Sequence, residues 1–149
     1  MKERFETFTA LITKTSRNIK KLKNREMEQY GLRSSHISCL YFLYSSESLT
    51  ATEICERCEE DKATVSRTLD YLEENGYVSC ESKLVKRYKS PFILTEKGKE
   101  IGKEIYDKVN FVLNEIDKEL SEEDRIIFYR GLTVISDCIE RVTLREEGK

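Results

Sequence analysis

Proline and glycine are scarce in this sequence, so few positions can interrupt a helix. The chain has one proline and six glycines among 149 residues, and it contains no tryptophan. Collagen-like chains and turn-rich all-β sandwiches need many more turn residues, so both classes are disfavoured. A chain of this length can bury a core without support from a metal or a disulfide. The scarcity therefore favours a mainly α-helical fold.

Long apolar runs are also missing. No stretch approaches the roughly 18 residues that a membrane-spanning helix needs. The first residues, Met1 to Phe5, include three consecutive charged side chains and lack the apolar stretch of a secretory signal. We therefore expect a soluble, cytoplasmic protein with no membrane association.

The cysteines do not show the pattern of a disulfide framework. Their number is five, which is odd, and their spacing shows no repeat. Cys55 and Cys58 have a spacing used in zinc and redox sites, but no second pair follows, so we expect them to pack inside the fold. His36 and Cys39 are three residues apart and could face a common ligand. A redox role for Cys39 stays open, although no feature of the sequence supports it.

Signatures of catalysis are absent from the sequence. It has no glycine-rich phosphate loop and no Gly-x-Ser-x-Gly turn around a nucleophile. The sole histidine, His36, has no recognisable nucleophile partner. We therefore predict no enzymatic activity, no cofactor and no metal site.

Charge is distributed unevenly, although the chain as a whole is nearly neutral, with 26 Lys+Arg and 28 Asp+Glu. Residues 1–33 are basic, and residues 83–99 carry six Lys or Arg beside Glu96 alone. Residues 100–149 are acidic. Because local patches set the electrostatic field, the two basic segments can bind a polyanion. Ordinary solvated surface is the alternative interpretation of each.

Hydrophobic periodicity and capping residues predict the order of elements. Apolar residues at three- and four-residue steps predict a long helix over 3–28. A second, shorter helix follows Ser34 or Ser35, either of which could cap it. Thr50 with Glu53 forms a capping box for a third helix. The remaining elements are a helix from the Asp61 cap to Asn75-Gly76, strands at 77–82 and 91–94, and helices over 96–120 and 122–144.

A short helix, a tight turn, a second helix and a hairpin with a basic tip make up a winged helix-turn-helix. The segment from Asp61 to Val78 closely resembles the recognition-helix signature of the MarR family of bacterial transcription regulators. Leu94-Thr95-Glu96-Lys97-Gly98 is similar to the end of that family's wing. The resemblance covers nearly the whole chain. It implies one MarR-like domain over 1–149, with a winged DNA-binding lobe at 34–95 and dimerisation helices at 1–30 and 96–145.

The resemblance also implies a homodimer that binds double-stranded DNA at a pseudo-palindromic operator. The long helices independently favour a dimer, because their apolar stripes exceed what one small lobe can cover. A monomeric helical bundle is the alternative. The function expected is a ligand- or stimulus-responsive repressor.

Specific residues follow from mapping the resemblance onto this chain. Thr64, Ser66 and Arg67 are the expected base-reading residues, because the N-terminal end of a recognition helix reaches base edges. An ordinary surface helix, with Asp70 paired to Arg67, is the alternative. Lys62 is expected on phosphate.

The wing departs from the family pattern. Members carry an Asp-x-Arg cluster there, and the corresponding positions are Lys86 and Tyr88. We expect the wing to bind the DNA backbone through four basic residues, namely Lys83, Lys86, Arg87 and Lys89. A solvated basic loop is the alternative.

Only the resemblance indicates that this protein binds a small molecule. It implies a pocket between the winged lobe and the dimerisation helices that binds an amphipathic aromatic effector. The expected lining is Phe8, Ile12, Tyr41 and Tyr44, although such aromatic residues are more often core than ligand contacts.

Two other functions remain open at this point. The acidic pI near 5.7 and the atypical wing are compatible with a protein-interaction dimer that has lost DNA binding. The five cysteines are compatible with a thiol- or metal-responsive sensor.

Overall fold

The computed structural model describes residues 2–81 and 89–148 and confirms a mainly helical fold with a small β-hairpin. The helices are α1 (Lys2–Met27), α2 (Ser34–Tyr44), α3 (Ala51–Cys58), α4 (Lys62–Glu74), α5 (Glu96–Glu119) and α6 (Glu122–Glu147). The strands are β1 (Val78–Cys80) and β2 (Phe92–Leu94), and a short 3-10 turn, Glu28–Tyr30, follows α1. The order agrees with the order expected from the sequence.

The chain forms two compact units, Met1–Asp107 and Lys108–Lys149. In the first unit, α2, α3 and α4 pack together around a core of aliphatic side chains. Leu40, Ile54 and Leu72 are completely buried, one from each of the three helices. Each fully buried side chain of this size contributes about 1.5–3 kcal/mol of hydrophobic stabilisation. This core fixes the position of α4.

The hairpin is antiparallel, with Val78 paired to Leu94. Leu49, ahead of α3, forms an additional bridge with Phe92 through two hydrogen bonds of 2.8 and 3.1 Å. Because Phe92 is fully buried, the bridge and the core together hold the hairpin against the helices. A two-stranded ribbon needs such support to be stable.

The caps of α3 and α4 are those expected, but the cap of α2 is not. Thr50 and Glu53 form the reciprocal capping box of α3. The expectation that Ser34 or Ser35 caps α2 is wrong, because Ser34 is already the first helical residue. The Asn24 side chain of α1 accepts the Ser34 N–H at 2.9 Å. It therefore satisfies a backbone N–H group that a capping side chain would otherwise accept.

Two glycines let α5 approach the rest of the first unit closely. A Cβ atom at position 98 would overlap the main-chain carbonyl of Tyr77, and one at position 102 would lie 3.0 Å from the Tyr44 side chain. Thr95 caps α5 by accepting the Gly98 N–H, and its hydroxyl donates to the carbonyl of Gly76. The start of α5 is therefore tied to the end of the α4–β1 segment.

The second unit contains the end of α5 and the whole of α6. Ser121 caps α6 by accepting the N–H of Asp124 at 3.1 Å, and Arg125 forms an ion pair with Asp117. None of the described residues of α6 is buried. Its exposed apolar side chains are Ile126, Ile127, Phe128, Tyr129, Val134, Ile135, Ile139, Val142 and Leu144. Within residues 2–81 and 89–148, no helix has the length and apolarity required to cross a membrane.

Candidate nucleic-acid interface

The N-terminal end of α4 is organised by its capping residue, Asp61. One carboxylate oxygen accepts the backbone N–H of Thr64 at 2.8 Å, and the other accepts the Thr64 hydroxyl at 2.7 Å. These two hydrogen bonds, the hydroxyl first, hold the pKa of Asp61 below its ordinary value. The carboxylate therefore fixes the first turn of the helix and the orientation of Thr64.

Arg67 extends this arrangement along the helix. Its Nη2 atom donates to the hydroxyl oxygen of Thr64 at 3.3 Å, while the side chain as a whole remains exposed. Ser66 is also exposed, and so is Lys62 at the first position of the helix. The structure thus brings Thr64 and Arg67 into contact, with Ser66 and Lys62 exposed on the same short helix. The role of Asp61 as an organiser of Thr64 was not expected from the sequence beyond its function as a cap.

The opposite face of α4 is buried. Val65, Leu69 and Leu72 are at most 2% exposed, and Thr68 is buried beside them. Because one face is fixed in the core, rotation about the helix axis is prevented and the Ser66–Arg67 face points outward. An outward-facing helix of this kind can enter a DNA major groove.

The C-terminal half of α4 is anchored by Tyr71. Its ring stacks on His36 of α2 with centroids 4.3 Å apart, and its hydroxyl donates to the carbonyl of Gly31 at 3.3 Å. The Nδ1 atom of His36 accepts the backbone N–H of Arg33, so the imidazole also holds the start of α2. Partial burial, followed by the charge of Arg33, lowers the pKa of His36 and favours the neutral form that accepts this bond.

The wing is described only in part. Lys83, Lys86 and Arg87 lie outside the described residues, as does Tyr88, so their expected backbone contacts stay a prediction. Lys89 is described and is exposed, directly before the buried Ser90. The N–H of Glu81 donates to the carbonyl of Pro91 at 2.9 Å, which continues strand pairing beyond the three residues of β1.

The residues expected to line an effector pocket fall into two groups. Tyr41 and Tyr44 of α2 both contact Tyr106 of α5, with ring centroids 6.0 and 5.5 Å apart. Phe8 instead lines a cleft formed by residues of α1 alone, namely Glu3, Arg4, Thr7, Phe8 and Leu11. Ile12 is an exposed residue of the same helix. The sequence pattern did not identify Tyr106, although the small Gly102 one turn earlier marks the point where α5 meets Tyr44.

The cysteines occupy different environments. Cys39 is buried, Cys55, Cys58 and Cys80 are partly buried, and Cys138 is exposed on α6. In the described part of the chain, no group of three or more His, Cys, Asp or Glu side chains has the arrangement of a metal site.

Comparison with known proteins agrees with this geometry. A family model described as the MarR family matches residues 30–87. An HTH-type transcriptional regulator of Bacillus subtilis, YwoH, is 32% identical over 76% of this chain and 80% of its own length.

Solved structures share the fold at lower identity. A Staphylococcus aureus MepR–DNA complex superposes with a TM-score of 0.77 at 19% identity, over 89% of this chain and 97% of that one. Staphylococcus aureus MarR in complex with salicylate and kanamycin gives 0.76 at 21% identity, over 93% of each chain. These two likenesses establish the fold.

Proposed function

This chain belongs to the MarR family of DNA-binding transcriptional regulators, and we propose that it acts as a homodimeric repressor of a pseudo-palindromic operator. It works by binding rather than by catalysis, in the cytoplasm of a bacterial cell. Thr64, Ser66 and Arg67 read bases in the major groove, and Lys62 contacts phosphate. The main observation that supports this proposal is that α4 buries one face completely and presents its N-terminal Ser66–Arg67 face to solvent.

The chemistry of that face suits DNA. An arginine can donate two hydrogen bonds to the O6 and N7 atoms of guanine, and a serine hydroxyl can bond to several bases. The unpaired N–H groups and the dipole at a helix N-terminus favour a nearby phosphate. Arg67 exchanges its hydrogen bond to Thr64 for one to a base, which leaves Thr64 held by Asp61.

Two observations support the homodimer. Large apolar side chains on α6 are exposed in the isolated chain, with Ile127 at 52% and Val134 at 61%. The N-terminal helix adds Leu11, Ile19 and Leu22, which are also exposed. Exposed apolar stripes of this length on a helix are normally covered by a partner. A second copy provides the same stripes, and twofold symmetry then places two α4 helices in successive major grooves, about 34 Å apart.

The wing and an effector complete the proposal. Lys83, Lys86, Arg87 and Lys89 bind the DNA backbone and supply affinity that does not depend on sequence. An amphipathic aromatic effector binds beside Tyr41 and Tyr44, with Phe8 and Ile12 as further contacts. The tyrosine cluster around Tyr106 and the salicylate complex of Staphylococcus aureus MarR support this assignment. An effector releases DNA only if it binds one spacing of the two lobes more tightly than the other.

Selection of bound DNA from a random duplex library tests the function and the symmetry together. The full-length protein is expected to enrich an inverted repeat whose half-sites are about 10 base pairs apart, centre to centre. Sedimentation of the protein with the recovered duplex is expected to give one dimer per inverted repeat. Recovery of no common sequence, or of a single half-site bound by one chain, would contradict the proposal.

A further inference from the structure

Three consecutive main-chain carbonyls at the end of α4 accept hydrogen bonds from the start of α5. The ammonium group of Lys97 donates to the carbonyl of Asn75 at 2.8 Å. The hydroxyl of Thr95 donates to the carbonyl of Gly76, and its N–H donates to the carbonyl of Tyr77 at 3.0 Å. These hydrogen bonds join the end of the helix that presents Arg67 to the first turn of α5.

Lys97 makes the contact that lies closest to α4 itself. Its acceptor, Asn75, is the C-terminal capping residue of α4, and a cation at a helix C-terminus is favoured by the helix dipole. The ammonium group also lies 4.2 Å from the centre of the Tyr77 ring, a distance at which a cation and an aromatic face attract each other. The Tyr77 side chain is buried, so the ring is a fixed support. Lys97 is therefore held by two contacts, although it is an exposed residue.

Lys97 can be replaced without loss of the packing that holds α5. Thr95 caps α5 by accepting the N–H of Gly98, so its replacement would also disturb the helix. Further along α5, the Tyr30 hydroxyl donates to the Glu104 carboxylate at 2.9 Å, and this contact does not involve Lys97. Lys97→Met, which retains a long unbranched side chain, is therefore expected to fold.

The chain passes from the winged lobe to α6 through α5, which continues without interruption from Glu96 to Glu119. In the proposed homodimer, α1 and α6 carry the contact with the second copy. The direction in which α5 leaves the end of α4 then affects the distance between the two α4 helices of the dimer. A contact between the end of α4 and the first turn of α5 restrains that distance.

We propose that Lys97 is a positioning residue that makes the dimer selective for the spacing of its operator half-sites. This inference rests on the proposed function, since it requires two α4 helices in successive major grooves. One extra base pair between the half-sites displaces them by about 3.4 Å and rotates them by about 35° around the duplex axis. The dimer binds such a duplex by shifting α4 relative to α5, which opens the Lys97 contact. The cost of opening that contact falls on the longer duplex alone.

The test compares two duplexes with the full-length protein: the operator recovered by selection, and the same operator with one base pair inserted between its half-sites. The spacing ratio is the affinity for the first duplex divided by the affinity for the second, measured by fluorescence anisotropy at one salt concentration. Lys97→Met is expected to lower this ratio about 3- to 10-fold, because the hydrogen bond and the cation–aromatic contact are no longer lost on the longer duplex. The preferred sequence of each half-site should not change.

Lys99→Met is the matched control. It removes the same charge from the same turn of α5, but Lys99 bonds to Glu96 of its own helix at 3.1 Å. Because an exposed ion pair of this kind contributes little, the spacing ratio should stay within about 2-fold of that of the unmodified protein. Any general effect of the lost charge on DNA affinity cancels in the ratio.

Two further substitutions at the same position separate charge from folding. Lys97→Arg keeps a cation that can bond to a carbonyl and lie over an aromatic ring, so it should restore most of the spacing ratio. Lys97→Gln keeps a polar donor without the charge and should give an intermediate ratio. It also provides the comparison if Lys97→Met does not fold.

Three results would overturn the inference: an unmodified protein with no preference between the two duplexes, an unchanged ratio in the folded Lys97 variants without the charge, or an equal fall of the ratio in Lys99→Met. Weaker binding of Lys97→Met to both duplexes by the same factor leaves the ratio unchanged and would show a role in stability alone. Failure of the unmodified protein to bind any duplex would instead count against the proposed function, so the two failures are distinguishable.

Discussion

Gly98 of α5 packs directly against the main-chain carbonyl of Tyr77, with no room for a Cβ atom between them. The N–H of Thr95 donates to the same carbonyl at 3.0 Å. The first turn of α5 therefore rests on the segment between α4 and β1. This contact links the helix that follows the hairpin to the helix that presents Arg67.

Gly98→Ala is expected to destabilise the protein, although alanine is the better helix former. Overpacking a tight site costs about 1–3 kcal/mol, which exceeds the roughly 1 kcal/mol gained from helix propensity. Gly131→Ala is the matched control, because an added Cβ there meets nothing within 4 Å in the chain. Urea unfolding of both variants gives the comparison. Equal stabilisation by the two substitutions would refute the close contact at Gly98.

Asp61 gives α4 a pH-dependent cap. Its pKa is lowered in the folded state, so the stabilisation is complete above the ordinary value of 3.8 and is lost as the pH falls through the folded value. Asp61→Asn retains an oxygen that can cap the helix but does not titrate at this position. The melting temperature of the unmodified protein should therefore fall more steeply than that of Asp61→Asn on acidification below about pH 4. Parallel curves for the two proteins would show that the carboxylate does not stabilise the folded state.

The exposed apolar stripe of α6 predicts the positions at which an introduced charge would weaken the dimer. Val134→Lys should raise the dimer dissociation constant at least about 10-fold, since burial of one valine contributes about 1.5–3 kcal/mol. Ser136→Lys introduces the same charge about 200° around the helix and should have a much smaller effect. Sedimentation equilibrium measures both constants. Dissociation of the two variants to the same extent would place the dimer contact elsewhere.

Local signals in the sequence were sufficient for much of the fold. Helix periodicity predicted the six α-helices of the described residues, and Thr50 and Asp61 cap α3 and α4 as expected. Each of these signals acts over three or four residues, so it is visible in the sequence itself. The exposed apolar stripe of α6 was also visible, because helical periodicity does not depend on what covers the stripe.

Contacts between distant segments could not be predicted. The side chain of Asn24, ten residues earlier in the chain, accepts the N–H of Ser34 at the start of α2. This contact takes the place of the expected serine cap. The meeting of Tyr106 with Tyr41 depends on how α5 packs against α2, which no local pattern encodes.

Lys89 should contribute affinity without specificity. It is an exposed lysine next to the hairpin, and a contact to one phosphate is independent of the bases. Lys89→Ala is expected to weaken binding to operator and random duplex equally and to reduce the slope of log K against log salt concentration by about one. Fluorescence anisotropy at several salt concentrations measures both quantities. A loss confined to the operator would assign Lys89 to base recognition instead.

The specificity ratio of Arg67→Ala tests the central claim most directly. This ratio is the affinity for the selected operator divided by the affinity for random duplex, measured at one salt concentration. If the exposed N-terminal face of α4 reads bases, the substitution should lower the ratio by the equivalent of about 1–3 kcal/mol in binding free energy. It should also relax the preference at one base pair of each half-site. An equal loss of affinity for both duplexes, with the ratio unchanged, would contradict base reading by α4.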